Sequence, residues 1–172
     1  MVVETGRHRR PASPMGRAVL VAVCWLAVLA VSPYRHVSPR VHDMALLVHL
    51  GSMVIGFGAV LTVDWFGLLW LAGRRTLTDV LNTARGTHVP IWAGFAGLLA
   101  SGALLGLPAG PKAFAVLVIG VNGVYAAVLL RELSRHATPP TSLLIRSGVA
   151  TLISQAGWWT ALVLGYLNSR TG

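Results

Sequence analysis

Residues 44–73 read MALLVHLGSMVIGFGAVLTVDWFGLLWLAG, thirty positions interrupted by two ionisable side chains, His49 and Asp64. A bilayer's hydrocarbon core is about 30 Å thick and is crossed by about 20 residues of α-helix. The stretch exceeds that length. It therefore predicts a membrane-spanning helix that tilts or projects beyond the core. Four further apolar segments flank it, Ala18–Ser32, Val89–Leu107, Ala113–Leu130 and Gly148–Leu167. The expected fold is all-α, an integral membrane helical bundle with five transmembrane helices. A cytoplasmic tail, 1–17, precedes a first helix over 18–32. A four-helix antiparallel bundle fills 44–167, and an outer tail covers 168–172.

The whole chain agrees with its most apolar part. Of 172 residues, 55% are apolar and 11% charged, with a mean hydropathy of +0.69. A soluble domain carries roughly a quarter charged residues. The composition excludes an ordinary cytosolic enzyme, and equally a disordered chain rich in charge. A single cysteine, Cys24, excludes an intrachain disulfide framework. Arginines precede the first segment, and Val28-Leu29-Ala30 resembles a signal-peptidase site. Arg9-Arg10 is similar to the start of a twin-arginine signal, but the following residues do not continue one. The segment is read as a retained first membrane helix.

Net charge is +9, from 14 basic and 5 acidic residues, and every basic residue except Lys112 is arginine. These side chains sit between apolar runs, so they are topology signals and headgroup contacts rather than a nucleic-acid surface. Ten fall on one side: Arg7, Arg9, Arg10 and Arg17; Arg74, Arg75 and Arg85; Arg131, Arg135 and Arg146. Four fall on the other: Arg35, Arg40, Lys112 and Arg170. The positive-inside rule then places the amino terminus in the cytoplasm and the carboxyl terminus outside. Prolines 33, 39, 108, 111, 139 and 140 lie between segments, where a missing donor does little harm. Thr76–Arg85 predicts a short cytoplasmic helical turn with Asp79 near its start.

Helices in lipid associate through small residues that let backbones approach. Ala93, Gly97 and Ser101 form one such ridge, with Gly94, Gly102 and Gly106 nearby. Ser52 and Gly56 supply the second segment, and Gly120, Gly123 and Ala127 the fourth. The same glycines would also leave room for a flat cofactor, and the pattern alone does not choose. Trp70 and Trp92 suit interface anchoring. Trp158 and Trp159 lie too deep for that and are expected between helices or against lipid.

A polar group in hydrocarbon needs a partner. At 1.5 Å per residue, Asp64, Asn122 and Gln155 all lie about 11–13 Å from the same membrane end. They form an expected buried polar layer across three helices, joined by Thr62, Thr151 and Ser154. Asn and Gln can donate to a carboxylate. Such a layer serves either as a clamp or as a proton or substrate relay. His49 lies near the opposite end of its segment. His42 and Met53 share its helix face, which suggests a metal site, since His and Met ligate haem iron and copper. His36 stands in the adjoining loop, and His88 begins the third segment at the other end. No nucleophile–base pair, phosphate-binding loop or Cys-x-x-Cys motif is present.

Leu47-Val48-His49-Leu50-Gly51, followed by Asp64, resembles the opening helix of small bacterial membrane proteins related to the copper-resistance-D membrane domain and the HemJ-type protoporphyrinogen oxidase. The likeness continues through Ser101-Gly102, Pro111-Lys112, Val121-Asn122-Gly123 and Ser154-Gln155-Ala156-Gly157-Trp158. It implies a four-helix antiparallel membrane bundle. In the HemJ-like branch a histidine of the first core helix ligates haem b, and a lysine opening a later helix matters for activity; His49 and Lys112 match those positions. The extra amino-terminal segment and the Asp64 layer depart from the branch. The expected function is thus a small inner-membrane protein, binding haem b through His49 with Lys112 nearby, in redox or haem metabolism. Copper handling through His42, His49 and Met53 is a variant of that reading. Two further readings stand beside it. One is a non-enzymatic subunit of a larger membrane complex, or a homo-oligomer, held in the lipid bilayer. The other is a small proton-coupled carrier using Asp64.

Overall fold

The computed structural model describes residues 13–32, 37–106 and 110–171, without the side chains of 168–171. The expectations for the tail before Ser13, for Arg9-Arg10, Arg35, His36 and Pro108, and for the side chain of Arg170, lie outside the described residues. Among the described residues the secondary structure is entirely helical. It comprises α1 (Pro14–Val31), α2 (Pro39–Leu71), α3 (Leu77–Gly86), α4 (His88–Leu104), α5 (Pro111–Leu133) and α6 (Thr141–Thr171).

Each helix starts and stops where local chemistry dictates. Pro14, Pro39 and Pro111 occupy first turns, where the absent N–H is an orphan anyway. The Ser13 hydroxyl accepts from the Gly16 N–H at 3.1 Å. Thr76 and Asp79 form a capping box that opens α3. Gly73, at φ +68°, ends the long α2 in a left-handed conformation that glycine adopts freely. The helices overrun the apolar segments, α2 by five residues and α6 by seven at their starts. Hydropathy marks the stretch that suits lipid, whereas capping residues and prolines mark where the helix begins.

Three helices, α1, α2 and α5, are long and apolar enough to cross a membrane. A fourth crossing results when α3 and α4, bent by 43° at Thr87, are taken as one span. The chain is therefore a helical membrane protein, and among the described residues three to four crossings meet the length and composition test, against the five expected. The segment expected as the fifth lies in α6, where Ser154 and Gln155 dilute the apolar run.

The helices pair as hairpins, and residue contacts give their register. His49 meets Ser101, and the α2 backbone at Ser52 and Gly56 meets Gly97 and Gly94. Numbers rise on α2 as they fall on α4, so the two run antiparallel. Asn122 with Ala150, Ile119 with Gly157, and Lys112 with Gly165 give the same antiparallel relation for α5 and α6. A methyl group built on Gly94 would fall 2.5 Å from Gly56 Cα, so the backbones are in direct contact there. The working ridge is Gly94, Gly97 and Ser101. Ala93 is exposed, and Gly102 has open space beside it.

Small residues close each hairpin, and large rings fill the space between hairpins. Phe57 stacks on Trp158 with centroids 5.6 Å apart, and Trp92 meets Phe95 edge-on. The Phe95 ring and Val21 press onto Gly120 of α5. Val21 thus draws α1 into the bundle core, where the sequence suggested a separate appendage. Trp158 packs between helices as expected, and Trp92, half-buried, packs against the same cluster. Leu81 seats α3 against Leu129, Leu133 and Leu143, closing one end of the bundle.

Candidate functional site

Two polar sites sit on α2, separated by fifteen residues, or about 22 Å of helix. At the first, His49 Nδ1 lies 2.8 Å from Ser101 Oγ. That hydroxyl approaches the Gly97 carbonyl at 2.6 Å. A serine has one proton to give, and the Gly97 carbonyl can only accept. The chain of bonds therefore runs from His49 Nδ1–H to Ser101 Oγ–H to the Gly97 oxygen. With Nδ1 as the donor, the Nε2 lone pair has no hydrogen-bond partner among the described residues. An imidazole with its Nδ1 proton committed and Nε2 bare is the form that binds a metal.

Lys112, in the first turn of α5, lies near enough to His49 to act on it electrostatically. Its ammonium passes beside Gly165 of α6, 3.6 Å from where a Cβ would stand. Trp25 Nε1 donates to the Ala113 carbonyl at 2.7 Å and ties α1 to this end of α5. The resemblance-implied pair, His49 and Lys112, is thus brought together from two helices. A groove of about 340 Å³ reaches Ser101 between α2 and α4, lined also by Arg40, Met44, Ala45, Val48 and Leu104 but not by His49 or Lys112.

The other metal candidates lie on the same helix as His49. His42 is exposed and two helical turns away, about 10 Å along a straight helix. Met53 is half-buried one turn further on. Among the described residues, no three His, Cys, Asp or Glu side chains gather at one point.

The second site is a cavity of about 210 Å³ at the α3 end, reached by Asp64 of α2, His88 and Trp92 of α4, Asn122 of α5, and Thr151 and Ser154 of α6. Gln155 Nε2 donates to Asp64 Oδ2. The Gln155 oxygen accepts from Trp159 Nε1 at 3.0 Å, which fixes the amide's orientation. Asp64, Asn122 and Gln155 come from three helices at this level, Asn122 buried and the other two half-buried, and their bonding differs from the expectation. Asn122 Nδ2 donates to the Ala150 carbonyl at 2.7 Å instead of to Asp64. Thr62 turns back to the Gly58 carbonyl of its own helix at 2.8 Å. Both interhelical bonds therefore land on α6, one from α2 and one from α5. His88 is cavity lining that hydropathy could not assign, since it begins a helix rather than interrupting one.

Cations gather at this end. Arg17 and Arg131 lie close enough to His88 to act on it electrostatically. Arg146 lies over the Tyr125 ring at 5.7 Å and donates to its hydroxyl at 2.9 Å. Arg75 lies over Phe66. Outside the spans, the Asp79 carboxyl is held below the usual carboxylate range, first by the Thr76 backbone N–H and then by the Thr76 hydroxyl.

Compared with known protein families, curated proteins and solved structures, the chain gives no match.

Proposed function

We propose that this is a haem-b-binding membrane protein of redox or haem metabolism, in which His49 would hold the haem iron through Nε2. The observation that carries the reading is the His49–Ser101–Gly97 chain of hydrogen bonds, which suits an imidazole that donates from Nδ1 and keeps Nε2 for a metal. A hydrogen-bonded second shell of this kind orients a metal-bound histidine and raises its basicity. Lys112 supports the reading because it sets a cation beside the histidine, suited to an acidic haem side chain. Bound haem would supply one-electron chemistry. The protein's own contribution is to fix the ring, limit water and set the local charge. In this reading the chain crosses a bacterial inner membrane five times, α6 included, with the arginine-rich α3 end in the cytoplasm. His49 and Lys112 then stand near the outer surface.

The test is an optical spectrum of the full chain, expressed with haem supplied and purified in detergent. A Soret band should appear, vanish in His49→Ala and persist in His42→Ala. A native chain without the band overturns the reading. Stoichiometric copper in such a bandless protein would transfer the site to copper.

A further inference from the structure

We propose that the cavity beside Asp64 holds water and lets this carboxyl exchange a proton with the α3 side of the membrane. The inference concerns the end of α2 remote from His49 and stands independently of haem.

Two observations carry it. The first is unused hydrogen-bonding capacity around one void. Among the described residues, the side-chain oxygen of Asn122 and the hydroxyls of Thr151 and Ser154 have no hydrogen-bond partner, and all three residues line the cavity. Asp64 Oδ1 is likewise unpartnered, because Gln155 engages Oδ2 alone. A polar void is hydrated when each water finds two to four partners, and a water occupies about 30 Å³ of liquid. The cavity volume of about 210 Å³ accommodates several.

The second observation is charge. Asp64 is the one acidic residue amid the apolar runs, and no cationic side chain pairs with it among the described residues. A carboxylate so placed requires a counter-charge or a proton. The arginine-rich rim disfavours a metal or organic cation entering from this end. A proton handed along water satisfies the site with no such ion: the carboxylate takes H⁺ from a hydronium ion, leaving a carboxylic acid and a water, and the return step reverses this. The titratable or charged groups around the cavity are Asp64 from α2, His88 from α4, and Arg131 and Arg17 near His88 from α5 and α1. The linings from α3 and α6 contain none. Leu81 and Ala84 of α3 form the wall on the arginine-rich side, so α3 covers the route.

Infrared difference spectroscopy of the haem-free full chain tests this. Reversible pH steps should raise and remove the C=O stretch of a protonated carboxyl. The band should shift with ¹³C-aspartate labelling of the native sequence, move promptly in D₂O, and disappear in Asp64→Asn. Ala84→Leu, which fills the cavity from the α3 side, should slow the D₂O shift at least tenfold. A labelled band insensitive to pH and D₂O, or no aspartic band under any condition, overturns the proposal. So does exchange unaltered by Ala84→Leu, which would move access away from α3. A missing Soret band leaves every one of these outcomes unchanged.

Discussion

Gly94→Ala is the most exacting perturbation of the bundle. The new methyl carbon would stand 2.5 Å from Gly56 Cα and 2.6 Å from both the Gly56 nitrogen and the Ser52 oxygen. Carbon atoms in contact sit about 3.5–4.0 Å apart, so α2 and α4 must part by about 1 Å. Every struck atom is backbone, and no side chain can swing aside. Overpacking of this kind costs roughly 1–3 kcal/mol. The separation also pulls on the His49–Ser101 bond, two turns along the same seam. Gly102→Ala is the control. It lies on the same helix with nothing within 4 Å of its added methyl, so its cost should be near zero. Reversible unfolding in mixed detergent, followed by circular dichroism, measures both. Equal stability of the two variants would refute the direct backbone contact between α2 and α4.

Other expectations follow from the same geometry. Ser101→Ala strands the half-buried His49 Nδ1 proton, and loss of a hydrogen bond costs about 0.5–1.5 kcal/mol, read as a lowered unfolding midpoint that Ser101→Thr partly restores. Trp158→Ala removes a side chain that is 2% exposed and stacked on Phe57; a loss of about 3–5 kcal/mol is expected, and an unshifted midpoint would contradict that packing. The Asp79 cap strengthens α3 when ionised. Because its folded value is depressed, the contribution is present above the ordinary carboxylate pKa of about 3.9 and fades as pH falls through the lower folded value. Amide exchange should accordingly rise in α3 on acidification, and Asp79→Asn should raise it already at neutral pH.

Residues 44–73 disclosed a membrane helix because a thirty-residue apolar run has few other uses. The polar layer was legible for a related reason: each hydrophilic side chain in such a run stands out, and rise per residue gives its depth. Depth does not give azimuth. Asn122 and Asp64 share a level, yet Asn122 turns to the Ala150 carbonyl, because an uncharged amide is satisfied by the nearest acceptor. Ser101 was recognised as a small packing residue but not as the partner of His49. The signal lay in the antiparallel register, since alignment of Ser52 with Gly97 brings residue 49 to the neighbourhood of 101. The role of α1 was hidden because its contacts run through Val21 onto Gly120 and Trp25 onto the Ala113 carbonyl, and neither side chain has a distinguishing pattern in an apolar helix. Trp92 near a helix start is compatible with anchoring and with packing, and its place beside Phe95 of its own helix and Gly123 of α5 was not readable from hydropathy.

The tautomer of His49 tests the functional account most directly. Nitrogen NMR of the haem-free full chain, labelled with ¹⁵N-histidine and assigned by His49→Ala, distinguishes a protonated ring nitrogen from a bare one. The account predicts a proton on Nδ1 and none on Nε2 at neutral pH, with the pattern lost in Ser101→Ala. A proton on Nε2 in the native chain would reverse the direction of the Ser101 bond and remove the lone pair on which metal ligation depends.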